Sequence, residues 1–148
     1  MKILVSKCLL GERCRFDGRS KANQKVLDFL KDHEIIPVCP EVMGGMQIPH
    51  TPCERIDDKV MGKDGNDYTD KFQNGAKIAL DLCLANDCHY AILKAKSPSC
   101  GHDYIYDGNF NGTLIKGHGC LTEKLLKHDI KIYNEDEIEQ LIKDIESL

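Results

Sequence analysis

The stretch TDKFQNGAKIALDLCLANDCHYAIL, residues 69–93, decides how this chain is read. Phe72, Ala76, Ala79, Leu80, Cys83 and Leu84 recur at helical spacing behind a capping Thr69, with Asp70 in the first turn, so the first part is an amphipathic helix. Cys88, one residue before His89, closes it. Tyr90 to Leu93 is then an apolar run of strand length, bounded by polar residues.

The same alternation extends in both directions. Lys2 to Ser6 reads as a first strand, ending in turn-rich residues 11–18. Residues 22–33 read as a helix with Ala22, Val26, Leu27 and Leu30 on one face. Residues 35–38 form a second apolar run, stopped by Pro40 and the Gly44-Gly45 pair. Residues 55–67 are polar, with a hairpin expected around Lys63-Asp64-Gly65-Asn66. Residues 104–119 are rich in glycine and read as a long functional loop. Residues 121–128 are helical, residues 130–133 form a fourth strand, and residues 135–148 close as a helix with Ile138, Leu141, Ile142 and Ile145 on one face. Short apolar runs alternating with amphipathic helices predict a single α/β domain over residues 1–148, with a mainly parallel, Rossmann-like sheet flanked by helices. Ligands of such sheets gather at the carboxyl ends of the strands.

Composition narrows the function. Eight cysteines in 148 residues, about 5%, fall below the share of a disulfide scaffold. No charged-then-apolar leader precedes Ile3, and no apolar run approaches the length of a membrane helix, so a cytoplasmic protein with reduced thiols and no membrane contact is expected. A net charge of -4 argues against a whole-domain nucleic-acid footprint. A G-x-G-x-x-G fingerprint and a P-loop are both missing.

The cysteines divide by context. Cys83 lies on the buried stripe of the long helix and Cys88 at its end, both read as small core residues. Cys53 and Cys120 lie in polar loops. Cys8, Cys14, Cys39 and Cys100 each sit near glycine or proline after a strand. No pair of C-x-x-C motifs supports a zinc ribbon, and Cys8 and Cys14 are too far apart for a thioredoxin-type pair. Thiolates gathered singly from different strand ends suit an iron–sulfur cluster with one iron left open, or a catalytic thiol site. Neighbouring residues join that edge. Glu41 follows Cys39 by two, and in an enclosed pocket beside a cluster it suits general acid–base work. Ser97 and Ser99 flank a proline behind Lys94 and Lys96, a set able to grip an anion or a carbonyl oxygen, or simply a polar loop. Gly44 and Gly45 let backbone approach a ligand, or turn the chain. His50, His102 and His118 are loop histidines without a spacing pattern.

Four segments in order resemble the TudS-type thiouracil desulfidase family over nearly the whole chain. They are Val5-Ser6-Lys7-Cys8-Leu9-Leu10-Gly11 through Cys14-Arg15-Phe16-Asp17-Gly18; Pro37-Val38-Cys39-Pro40-Glu41-Val42-Met43-Gly44-Gly45; Ala91-Ile92-Leu93-Lys94-Ala95-Lys96-Ser97-Pro98-Ser99-Cys100-Gly101; and Ile105-Tyr106-Asp107-Gly108 through Gly112-Thr113-Leu114. The resemblance implies a [4Fe-4S] cluster held by three cysteine ligands with one open iron, and non-redox desulfuration of a thiolated pyrimidine to the oxo form with release of sulfide. It implies Cys8, Cys39 and Cys100 as ligands, with Cys14 the rival for a ligand position or a catalytic place beside the cluster. It makes Glu41 the proton-handling group and Ser97 a positioning or relaying hydroxyl. Lys94, Lys96, Ser99, Gly44 and Gly45 are the expected substrate-binding residues. Expected partners are a small thiolated pyrimidine base, nucleoside or nucleotide (thiouracil, 4-thiouridine or its monophosphate) and iron–sulfur assembly machinery; whole tRNA is not expected. The alternatives are a non-catalytic metal- or sulfur-binding module and a cysteine-nucleophile sulfur transferase.

Overall fold

In the computed structural model, which describes residues 1–11 and 23–148, four parallel strands form the central sheet. They are β1 (Lys2–Ser6), β2 (Glu34–Val38), β5 (Tyr90–Ile92) and β8 (Lys131–Tyr133), in the order β2-β1-β5-β8. The registers pair Leu4 with Ile36 and Ala91, and Ala91 with Ile132. Side chains alternate across a strand, so each strand serves two cores. Ile3, Val5, Tyr90 and Ile92 pack with Val26 and Leu30 of α1 (Gln24–Leu30) and with Ile138 and Leu141 of α5 (Ile138–Glu146). Leu4 and Ala91 join the opposite core with Phe72, Ala76 and Cys83 of α3 (Thr69–Ala85) and Leu121 and Leu125 of α4 (Cys120–Leu126). Near-continuous burial of β1 and β5 is what a parallel sheet covered on both faces requires. The α/β class and the flanked parallel sheet read from the sequence are those of the structure.

Several local expectations are corrected. Thr69 does not cap α3; Tyr68 occupies that place, and the Thr69 hydroxyl instead accepts the Val60 N–H at 2.9 Å. The turn expected at Lys63-Asp64-Gly65-Asn66 is present, the Gly62 N–H donating to the Asn66 carbonyl at 2.9 Å beside an antiparallel bridge between Met61 and Asp67. A further hairpin that the sequence did not signal turns at Asp57-Asp58 between β3 (Cys53–Ile56) and β4 (Lys59–Gly62). Asp57 supplies the positive φ of 52° that the turn needs. The glycine-rich region, expected as a long loop with short β-like pieces, pairs two of those pieces as a second hairpin, β6 (Tyr104–Tyr106) against β7 (Leu114–Lys116). Pro40 does not merely end the second strand: it opens α2 (Pro40–Met43), where a first-turn proline loses no hydrogen bond.

The close packing of α2 on α3 explains two glycines. A Cβ on Gly44 would lie 1.9 Å from the Lys71 carbonyl oxygen, and one on Gly75 1.8 Å from that of Pro40. Backbone meets backbone there, which only glycine allows. Arg55, 7% exposed, fastens the hairpins to the body: it donates to the carbonyls of Asp57 at 2.9 Å and His118 at 2.7 Å and pairs with Glu123 at 3.0 Å. Among the described residues, no helix is long and apolar enough to cross a membrane.

Candidate active site at the strand ends

The chain reverses its direction of sheet growth between β1 and β5, and the loops leaving their carboxyl ends part to leave a crevice. A cavity of about 420 Å³ lies there. Cys8 reaches it from a 3-10 turn directly after β1, Cys39 from the N-cap of α2 directly after β2, and Cys100 from the loop after β5. All three are buried. Three soft donors distant in sequence therefore line one pocket, together with Glu41, Lys94, Lys96, Ser97 and Ser99.

The surroundings of Cys100 are the most developed. Ser6 Oγ donates to its sulfur at 3.4 Å and Ser99 Oγ at 3.7 Å. The Cys100 N–H donates to Ser97 Oγ at 2.7 Å, and Ser97 and Ser99 hydroxyls lie 3.4 Å apart. Burial pushes the Cys100 thiol up to about 12; the Ser6 and Ser99 hydrogen bonds pull against it, while Cys8 and Glu41 add to it. Such a thiol is a poor nucleophile at neutral pH, but cation binding would supply the charge that releases its proton.

Cys8, Cys39 and Cys100 are the type of soft donor that an iron–sulfur cluster takes. Among the described residues, no three His, Cys, Asp or Glu side chains gather as one metal ion requires. An iron–sulfur cluster takes each cysteine on a different iron, so its ligands surround a volume rather than a point. Buried thiols around a cavity, with hydroxyls donating to sulfur, are the donor chemistry that such a group needs.

The structure also shows where other expected residues stand. Lys94 Nζ lies 2.6 Å from Glu135 Oε2, while Glu135 Oε1 accepts the Ala95 N–H at 2.8 Å. Lys94 is thus held by a carboxylate from the segment after β8. Gly44 and Gly45 do not line the cavity; Gly44 is occupied with α3, and Gly45, with φ of 97°, turns the chain. Cys14 lies outside the described residues. Cys120 is not a loop thiol but the buried first residue of α4.

Sequence reasoning missed four participants. Ser6 closes β1, and Glu135 lies just past β8. The strand-end rule, applied to every strand, reaches both. Cys53 opens β3 and lines the cavity, with burial, Glu41 and Asp64 pushing its thiol up to about 12. His50 lines it too, its Nε2 3.5 Å from Glu41 Oε2 and its Nδ1 2.6 Å from the Thr51 carbonyl. Neither follows a periodic pattern, so no sequence signal marked them.

A parallel sheet with a crevice at its switch point, lined by cysteines and by polar and charged side chains, defines a class: an α/β protein with a thiol-lined pocket at its strand ends. The model of the family described as 2-thiouracil desulfurase matches residues 3–137, so the chain belongs to that family. It is 31% identical over 150 residues to the uncharacterized protein YbbK of Bacillus subtilis (strain 168), covering 95% of this chain and 99% of that one. Among solved structures, it is similar to the [4Fe-4S]-dependent thiouracil desulfidase TudS at 41% identity and a TM-score of 0.93, covering 99% of both chains.

Proposed function

We propose that this chain is a [4Fe-4S]-dependent desulfidase that replaces the thiocarbonyl sulfur of a small thiolated pyrimidine with oxygen. The observation that carries this reading is the convergence of Cys8, Cys39 and Cys100 on one cavity that Glu41 and Ser97 also line. These three cysteines would hold the cluster. When bound, such a group supplies a Lewis acid with an affinity for sulfur.

The residues supply the rest. Glu41 takes a proton from the water that adds to the thiocarbonyl carbon. The C–S bond then breaks, sulfur leaves as sulfide, and carbon keeps the oxygen, so the exchange consumes water and involves no net redox change. Ser97 already accepts the Cys100 N–H, which leaves its own O–H to orient the substrate or to pass a proton along the Ser99 hydroxyl. Ser6 and Ser99 tune the Cys100 sulfur by donating to it. Val38, Pro52, Pro98 and Tyr106 offer an apolar wall to a pyrimidine ring.

The substrate is a free base, nucleoside or nucleotide. Glu135 neutralises Lys94, so the phosphate of 4-thiouridine monophosphate would rely on Lys96 and Lys7, which line the same cavity. Whole tRNA is disfavoured by the net charge of -4. Cluster loading calls for iron–sulfur assembly machinery and a reducing, cytoplasmic setting.

Anaerobically reconstituted protein should be brown, contain about four irons per chain, and convert thiouracil, 4-thiouridine or its monophosphate to the oxo product with equimolar sulfide. A fully loaded protein inert towards all of them sinks the desulfidase reading and leaves a binding module. A colourless protein with tightly held zinc sinks the cluster.

A further inference from the structure

Glu41 stands in the first turn of the short helix α2, and its carboxylate hangs from a flexible side chain with several rotatable bonds. A general base works only when its oxygen is held within reach of the proton it removes. The contact that meets this carboxylate comes from another part of the chain. His50 Nε2 lies 3.5 Å from Glu41 Oε2, with both side chains largely buried at 8% and 16% exposure.

The imidazole is itself fixed. A carbonyl oxygen only accepts, so the 2.6 Å contact between Nδ1 and the Thr51 carbonyl places a hydrogen on Nδ1; Nε2 faces the carboxylate and attracts it when it too carries a hydrogen, as the imidazolium. The segment carrying His50 is tied at both ends. Met46 N–H donates to the Glu41 carbonyl at 3.0 Å, and Lys63 N–H donates to that of Pro52 at 2.9 Å. Lys94, a cavity cation that could otherwise compete for Glu41, is engaged by Glu135 at 2.6 Å.

The geometry points to His50 as a positioning residue that aims the Glu41 carboxylate into the cavity, a role that rests on the desulfidase reading above. His50 acts through Glu41 and need not touch substrate.

The test uses loaded protein carrying His50→Ala, His50→Gln, Glu41→Gln and the double variant His50→Ala with Glu41→Gln. Iron content and visible spectrum should match the parent in all of them. His50→Ala should lower kcat about 10- to 100-fold with little change in KM. His50→Gln, whose amide N–H can still meet the carboxylate, should recover most of that loss. In the Glu41→Gln background, His50→Ala should cost no further activity, because the residue it positions is already disabled. Thermal unfolding of the same four proteins gives a readout independent of turnover: the two single-variant losses in Tm should not add. Equal loss in the Ala and Gln variants, additive losses in the double variant, or additive Tm changes overturn the assignment. An inactive loaded parent would instead overturn the desulfidase reading, and the Tm cycle would still report on the pair.

Discussion

At the scale of single residues, the site separates groups that hold from groups that react. Replacing Glu41 by Gln keeps the shape and removes the basic oxygen. Turnover should fall about 10²- to 10⁴-fold while iron content stays constant, as assayed by kcat beside iron analysis. Cys8→Ser, Cys39→Ser and Cys100→Ser should each yield protein depleted of iron. Cys83→Ser should not, because Cys83 is buried in α3 with its thiol donating to the Cys88 carbonyl at 3.6 Å. Thiol chemistry gives a second check. Burial pushes both Cys83 and Cys100 up to about 12, so their thiolate fraction stays small near neutrality and rises about tenfold per pH unit up to that value. Iodoacetamide mapping of metal-free protein should find both slow at pH 7 and faster as pH rises; rapid labelling of Cys100 at pH 7 would instead favour a cysteine nucleophile. The post-strand cysteines were legible because a parallel sheet sends its loops to one edge. His50 and Cys53 were not, since the path of an aperiodic segment across a cavity is set by tertiary contacts such as the Lys63–Pro52 hydrogen bond.

At the scale of elements, the second strand and α2 act as one delivery arm. Val38 ends β2, Cys39 caps α2 and Glu41 follows in its first turn, so a ligand and the proton-handling group are fixed by a single short helix. A helix of four residues has almost no stability of its own and depends on what it packs against. Its support is α3, through the mutual approach of Gly44 and Gly75. The sequence shows the glycine pair but not its partner Gly75, about thirty positions further along the chain. Gly75→Ala should force α2 away from α3 and cost about 1–3 kcal/mol or more, since the clash is with backbone that cannot rotate aside. Urea unfolding should register that loss, and iron content should fall with it because Cys39 moves with the helix. Lys77→Ala, at an exposed position two residues on, is the matched control and should leave both unchanged. Loss of stability with full iron retention would show that α2 holds its place without this contact.

At the scale of the whole molecule, the sheet is a frame whose strand ends converge on one crevice, and its alternating buried faces are what made the α/β class readable from short apolar runs. The two hairpins and Arg55 were less readable, because antiparallel pairs of three or four residues carry little periodic signal and a buried arginine is recognised only by its partners. This frame has a thermodynamic consequence. Cluster ligands at positions 8, 39 and 100 would cross-link chain segments far apart in sequence, restricting the unfolded state as well as binding the folded one. Loading should therefore raise Tm, and each kcal/mol of coupling moves Tm by about 2–4 °C for a chain of this size. A shift of about 10 °C or more is expected between metal-free and reconstituted protein, compared anaerobically at equal concentration. Cys39→Ser should melt near the metal-free value under either condition, because the arm that closes the site has lost its anchor. If full loading leaves Tm unchanged, the cluster is not held from within the fold, and the assignment of these three strand-end cysteines as its ligands fails.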